Sequence, residues 1–341
     1  MPTTLQDIAE ALGVSTMTVS RAINGNAGIG ADLRERVLAV AQQMNYRPNQ
    51  HARALSTNRS YLIGLIVPDL MHSYFAELAK AIEAVARPAG YEILICNTEE
   101  NAETELAEVE VLAQRTDGLI IASSAPPEKA RAYRKMLKEG AKLVFLDRHF
   151  ANLSCPAVIT DDVKVGRLAT EHLIRLGHRR IGHLRGNSVA VAADRVEGYR
   201  QALEANKIRF DETLVRPCGF MESDGYQAMR TWLVAGKVPS AIFAANDPSA
   251  MGAMAALEDA GLRIPEEVAV VGAGDIHYGD RLKVPLTTVT WDKLNMGRQA
   301  AQLMFGLLGK EPTARVGKSD HVICEPSLLV RKSCGATQSS R

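Results

Sequence analysis

Polar residues recur where apolar runs end. Pro68, Asp69, Asp147, Arg148, Asp161, Asp162, Asn246, Asp247 and Asp275 each close such a run. Carboxylates, an amide and a guanidinium gathered at strand ends can hold the hydroxyls of a small polar ligand, and Arg can grip a carboxylate with two bonds. At any single position an Asp or Asn also simply caps the next helix. The recurrence is what reads as a pocket rim. A second group lies near the start of the chain. Thr16, Met17, Ser20 and Arg21 share the early face of a short helical stretch. Arg donates two hydrogen bonds to guanine O6 and N7, and the methyls of Thr and Met suit the thymine methyl.

Other chemistry finds no pattern. G-A-G-D-I-H at 272–277 places His277 where a dinucleotide loop needs glycine. No G-x-x-x-x-G-K-[ST] and no G-x-S-x-G occurs. His172, His178 and His183 are never paired at i, i+4, so a metal site is not expected. Neither enzyme, cofactor nor metal is expected.

These residues need elements to position them. Leu5, Ile8, Ala9 and Leu12 fall on one helical face, with Thr3 and Gln6 spaced as a capping box and Gly13 placed to end the helix. Ser15 caps a second helix at 16–24, with Val19 and Ile23 inward. A third runs from Asp32 to Asn45 with Leu33, Val37, Val40 and Met44 as its stripe. Two helices joined by a tight turn present the second to the DNA major groove. The stretch PNQHARALST at 48–57 is too short for an independent helix. It is a plain linker, or a helix that forms against a second subunit, with Leu55 able to wedge into the minor groove.

From Tyr61 the period changes. Apolar runs at 61–68, 91–97, 117–123, 142–147, 157–161, 180–186, 241–247, 268–274, 287–292 and 321–326 alternate with helices at 74–88, 101–115, 164–177, 194–206, 222–235, 248–260 and 293–308. Nearly all-apolar strands between helices mean parallel sheets covered on both faces, and this many strands call for two lobes.

The balance of 40 Lys and Arg against 39 Asp and Glu argues for no partner by charge alone, and residues 1–60 carry six Arg against four acids. Apolar residues at 46% exclude a disordered chain. Five scattered cysteines, never C-x-x-C, read as reduced thiols. The first residues carry no signal-peptide pattern and no run spans a membrane, so a cytoplasmic protein is expected.

The string TLQDIAEALGVSTMTVSRAIN, then LRERVLAVAQQMNYRPNQHARALSTNRSYLIGLIVPDL, resembles the lac repressor/gal repressor (LacI/GalR) family of bacterial transcription regulators. HLIRLGHRRIGHLRG, DRVEGYRQAL, PSAIFAANDPSAMGAMAALEDAGLRIPEEVAVVG and PLTTVTWDKLNMGRQAA follow in the family's order, so the likeness spans about Thr4 to Arg331. The resemblance implies an α/β core of two doubly wound parallel-sheet lobes, like a periplasmic binding protein, behind an all-α helix-turn-helix headpiece. The implied divisions are a headpiece at 1–47, a hinge and linker at 48–60, a core at 61–331 and a flexible tail at 332–341. The N-lobe would hold about 61–160 plus 292–320, and the C-lobe about 162–290 plus 321–331.

The resemblance further implies a repressor that binds a pseudo-palindromic operator as a homodimer and answers to a small-molecule effector, a sugar or sugar derivative, in the cleft of the core. A corepressor- or phosphoprotein-dependent regulator of the same fold is the alternative, and a periplasmic-type sugar-binding protein a remote one. Thr16 and Met17 match the base-reading pair, and Arg21 a base-contacting position. Ser15, Thr18 and Asn24 match phosphate contacts, Leu55 the intercalating leucine, and Ala52 its minor-groove neighbour. Thr4, Ser20 and Asn49 complete the expected DNA-binding set. For the effector, Tyr74 and Phe75 match the aromatic pair after the first strand. Asp147, Arg148, Asp161, Arg195, Phe220, Asn246 and Trp291 fall on or beside pocket positions. Gly274 stands where the family carries an acid, so either Asp275 substitutes for it in the effector site or the ligand differs.

Overall fold

The computed structural model describes residues 3–23, 25, 28–46, 54, 57–187, 189–309 and 321–336. Asn24, Asn49, Ala52, Leu55 and almost all of the expected hinge helix fall outside the described residues. The chain forms two compact units, Met1–Ser60 and Tyr61–Arg341.

The first unit is a three-helix module of α1 (Leu5–Leu12), α2 (Thr16–Ile23) and α3 (Ala31–Gln43). Ile8, Ala9, Val19, Ala22, Val37 and Ala41 form its core. Full burial of a side chain such as Ile8 or Val37 contributes roughly 1.5–3 kcal/mol. The capping box is Thr4 with Asp7, one residue beyond the expected Thr3 with Gln6. Thr3 is occupied elsewhere, its hydroxyl donating to the Met44 carbonyl at 2.7 Å. Gly13 ends α1 at φ +65°, a left-handed conformation that favours glycine. In α2 the fully buried residues are Val19 and Ala22, with Ile23 only half-buried.

In the second unit β1 (Leu62–Val67), β2 (Glu92–Asn97), β3 (Gly118–Ile121), β4 (Leu143–Leu146), β5 (Ala157–Thr160) and β11 (His321–Cys324) form one sheet, ordered β11-β5-β4-β3-β1-β2 and parallel throughout. A second sheet, ordered β12-β10-β9-β8-β6-β7, holds β6 (Ile181–Arg185), β7 (Val215–Pro217), β8 (Ala241–Ala244), β9 (Ala269–Ala273), β10 (Thr287–Thr290) and β12 (Ser327–Leu329). Only β12 runs antiparallel to its neighbour there.

The helices are α4 (Ser73–Ala86), α5 (Ala102–Arg115), α6 (Ala130–Lys138), α7 (Asp162–Arg175), α8 (Ala190–Ala205), α9 (Glu222–Val234), α10 (Asp247–Asp259) and α11 (Lys293–Leu307). The chain passes between the sheets three times: after β5, between β10 and α11, and between β11 and β12.

Three expectations are corrected. Residues 321–331 are not all C-lobe: β11 pairs with β5 in the first sheet, where His321 to Cys324 continue the parallel ladder of Ala157 to Thr160. The tail is ordered as far as it is described. Ser333 accepts from the Thr287 amide at 2.8 Å and donates to the Val270 carbonyl at 2.6 Å, so its burial is fully bonded. Finally, β7, β12 and α6 stand outside the expected strands and helices. The two strands span three residues each at sheet edges, and α6 lies in the polar run ARAYRKMLK.

Candidate functional site

In the first sheet the strand order reverses beside β1, and in the second beside β6. Ligands of such sheets bind at these switch points, beyond the strand carboxyl ends. Here the carboxyl ends of the two sheets line one cavity. His72, Tyr74 and Phe75 follow β1, and Asp147 and Arg148 follow β4. Val191, Arg195, Phe220 and Asn246 come from the loops and helices after β6, β7 and β8, and Trp291 follows β10. Ala273 and Gly274, at the end of β9, complete the lining. The cavity measures about 30 Å³. That is room for about two waters, so a larger ligand enters only with the lobes further apart.

Each charged group in the lining is held by another. Arg195 lies on α8, and its guanidinium meets Asp162 at 2.7–2.8 Å and the Ala245 carbonyl at 2.5 Å. Burial pushes the Asp162 carboxyl up, and the Arg195 charge opposes that shift. Arg148 donates to both oxygens of Glu100, at 2.8 and 2.9 Å. Its guanidinium lies 4.9 Å from the ring centre of Phe220, a cation–π contact between the lobes. Arg195 sits 5.6 Å from Trp291 in the same manner. Tyr74 donates its hydroxyl to Asp147 at 2.7 Å and accepts from the Trp291 indole at 3.3 Å. Tyr74, Phe75 and Trp291 pack edge to face around these bonds.

A second bond between lobes joins His72 to Asn246. The Asn246 amide nitrogen lies 3.0 Å from His72 Nε2 and donates to the Phe220 carbonyl at 2.8 Å. Asn246 Oδ1 caps α10 through the Ser249 amide. Burial, then the charge of Arg148, lowers the His72 imidazole to about 4, so the ring is neutral at physiological pH.

Most expected pocket residues converge: Tyr74, Phe75, Asp147, Arg148, Arg195, Phe220, Asn246 and Trp291 all line the cavity. Asp161 and Asp275 do not. Asp161 caps α7 by accepting from the Lys164 amide at 2.9 Å, while its neighbour Asp162 turns inward to Arg195. Asp275 adopts φ +49° and accepts from Arg331 at 2.6 Å, away from the lining. That turn is anchored from below. Asp247 accepts from the Ile276 amide and from the Thr288 hydroxyl, both at 2.7 Å, and burial pushes its carboxyl up to about 6. Gly274 reaches the cavity with no acid.

His72, Val191, Ala273 and Glu100 were missed. His72 sits beside the aromatic pair and was legible as a helix cap. Glu100 stands 48 positions from Arg148, and only the fold joins them.

In the three-helix unit Thr16, Met17 and Arg21 lie on the exposed face of α2, with Met17 70% exposed. Thr18 and Ser20 are half-buried. Ser15 is exposed and accepts from the Thr18 amide at 3.1 Å, which starts α2. Its hydroxyl also meets that of Thr18 at 2.9 Å. Thr4 caps α1.

Comparison with known proteins finds the model "Bacterial regulatory proteins, lacI family" over residues 4–49. "Periplasmic binding proteins and sugar binding domain of LacI family" matches residues 60–323. The chain is 34% identical over 333 residues to the HTH-type transcriptional repressor PurR of Haemophilus influenzae (strain PittEE), covering 97% of this chain and 98% of that protein. It is 34% identical over 312 residues to the ribose operon repressor of Halalkalibacterium halodurans, covering 91% and 92%. Among solved structures, the lac repressor dimer bound to operator and the anti-inducer ONPF is similar at TM-score 0.86 and 30% identity, covering 98% of this chain and all of that one.

Proposed function

The chain belongs to the LacI family of bacterial transcriptional regulators, not to a family of enzymes, and from that premise we propose how its parts divide the work. It represses transcription from the cytoplasm by binding a pseudo-palindromic operator as a homodimer. The exposed face of α2 enters the major groove, with Thr16, Met17 and Arg21 at base edges and Ser15, Thr18 and Asn24 at phosphates. Asn49, Ala52 and Leu55 contact DNA from the hinge. The cavity between the two sheets takes the effector.

The observation that carries the effector reading is the pairing of both arginines. Arg148 and Arg195 are each neutralised by a carboxylate, Glu100 and Asp162. Among the described residues the cavity lining therefore offers no spare cation for a phosphate. It offers aromatic faces at Tyr74, Phe75, Phe220 and Trp291, and polar groups at Asp147, Arg195 and Asn246. Aromatic platforms with a few fixed polar groups suit a neutral sugar or nucleoside, and the likeness to a sugar binding domain of the LacI family favours the sugar. A ligand acts on DNA affinity only through its different affinities for the open and closed core.

The test is thermal unfolding against neutral sugars, nucleosides, sugar acids and sugar phosphates. A specific ligand at 100 times its Kd adds about 2.7 kcal/mol of stability. A neutral sugar should shift the midpoint and its phosphate should not. A phosphate that binds more tightly than its parent sugar defeats the reading. Operator binding with and without the hit then separates inducer from corepressor.

A further inference from the structure

Arg148 fills a place that a ligand ring would take. Its guanidinium lies over a ring from each lobe, 5.9 Å from the centre of Phe75 after β1 and 4.9 Å from that of Phe220 after β7. Both distances are within cation–π reach. Phe75 and Phe220 line the effector cavity, and a flat ligand group would stack on those same faces. The space left beside the arm, about 30 Å³, takes only water.

The arm is held by backbone that few side chains adopt. The Arg148 amide donates to the Leu146 carbonyl at 2.6 Å around Asp147, whose φ is +65°. A bond that spans a single residue at positive φ makes a γ-turn of the rare, strained kind. On the partner's side, Glu99 and Glu100 lie at φ +51° and +55°, also left-handed. Three such residues thus flank one ion pair, Arg148 with Glu100. Strain of this kind persists only where surrounding contacts over-determine it, and it gathers at clamps and switches. Here Asp147 is fixed by the Tyr74 hydroxyl, and the Glu100 amide donates to the Pro68 carbonyl at 2.9 Å.

Position gives the contact leverage. The strands β2 and β7, which lead to Glu100 and Phe220, are the sheet edges farthest from the three chain crossings. A contact at those edges opposes the parting of the lobes with the longest lever. Arg148 and Glu100 both belong to the first lobe, so their pair survives when Phe220 moves away. We propose that Arg148 is an autoinhibitory arm: it holds the core closed while the cavity is empty, and the effector binds by displacing it from Phe220. Effector affinity is then lowered by the small fraction of molecules whose arm is out. The inference rests on reading this cavity as the effector site, and not on the effector being a sugar.

The first measurement needs no effector. Of the two tryptophans, Trp291 lines the cavity, while Trp232 is 1% exposed in the core of the second lobe. Acrylamide quenching of the full chain therefore reports on Trp291. Arg148→Ala should raise the quenching constant about threefold or more as the closed state loses population. Phe220→Leu, which leaves the Arg148–Glu100 pair intact, should also raise it and covers the case in which Arg148→Ala fails to fold. Quenching at the parent level in either variant that melts cooperatively overturns the proposal. The second measurement screens the parent and Arg148→Ala side by side, by thermal unfolding, against neutral sugars and nucleosides. A compound that stabilises the parent should bind Arg148→Ala about three- to tenfold more tightly in calorimetric titration. Equal or weaker binding overturns displacement and makes Arg148 a ligand contact. No hit on either protein defeats the effector reading of the cavity, and the quenching result still decides the arm.

Discussion

Two residues carry the energetics of the effector cavity, Arg195 in its lining and Asp162 paired behind it. Arg195 and Asp162 are both almost fully buried and paired at 2.7 Å. Removing one partner leaves a buried charge uncompensated, which typically costs about 3–5 kcal/mol. Arg195→Ala should therefore lower the unfolding free energy by that order in urea titration and abolish effector binding. Replacing both residues by Leu should cost less than Arg195→Ala alone. A double variant less stable than the single one would show that the pair does not act as a unit. His72 carries a pH dependence. Its folded value of about 4 lies below the ordinary imidazole range, so the fold favours the neutral ring. Its contribution is complete above the unfolded value near 6.5 and is lost as pH falls through 4. The groups that act on it are Arg148, Glu100, Arg195 and Lys293. Denaturant unfolding of the parent and of His72→Gln should differ more at pH 7 than near pH 4, by up to ~3 kcal/mol. A constant difference would remove His72 from the account. At the DNA face, Arg21→Ala should relax discrimination at one base position by about 1–3 kcal/mol in competition binding. A uniform loss over all sequences would make Arg21 a phosphate contact instead.

Elements hold these residues to within a bond length. The pair of α7 and α8 carries Asp162 and Arg195 on facing helices, and glycines let the backbones touch. A Cβ at Gly198 would sit 1.9 Å from the Val163 carbonyl oxygen, and one at Gly166 2.1 Å from that of Arg195. Backbone cannot yield as a side-chain tip does, so the helices would have to part. Gly198→Ala should cost about 1–3 kcal/mol or more in unfolding free energy, and effector affinity should fall as Arg195 moves. A stable variant with full affinity would show that the helices have slack. Elements also explain which parts of the fold could be read early. Strands such as LIGLIV and AIFA are buried on both faces, so their apolar runs are unbroken and their ends sharp. The edge strands β7 and β12 span three residues each and carry Arg216 and Ser327, so no run marked them. The helix α6 buries Ala130, Tyr133 and Met136 beneath a basic surface, a stripe too short to stand out. The start of α8 at Ala190, four residues before the expected 194, lies in the even-toned run VAVAAD, which suits strand or helix alike.

At the scale of the whole molecule the chain is two units with separate cores, one built on Ile8 and Val37, the other around the two sheets. The segment 61–341 should therefore fold alone, keep its ligand-dependent rise in melting temperature and lose operator binding. A segment that aggregates, or melts without cooperativity, would show that the core needs the N-terminal unit. The sequence by itself determined the architecture: helical period up to residue 45, strand–helix alternation beyond it, and the family strings in order. Period and apolarity are local properties, and a single strand or helix already displays them. It also placed eight of the residues that line the cavity: Asp147, Arg148 and Asn246 at the ends of apolar runs, and Tyr74, Phe75, Arg195, Phe220 and Trp291 through the family resemblance. Tertiary structure alone decided how these side chains are spent. That Arg148 answers to Glu100, that Asp162 and not Asp161 turns inward, and that Asp275 is claimed by Arg331 depend on groups 33 to 56 positions apart. Chain crossings and strand registers bring such groups within 3 Å. The charge left for a ligand is what remains once those pairs have formed, and no stretch of sequence contains both partners.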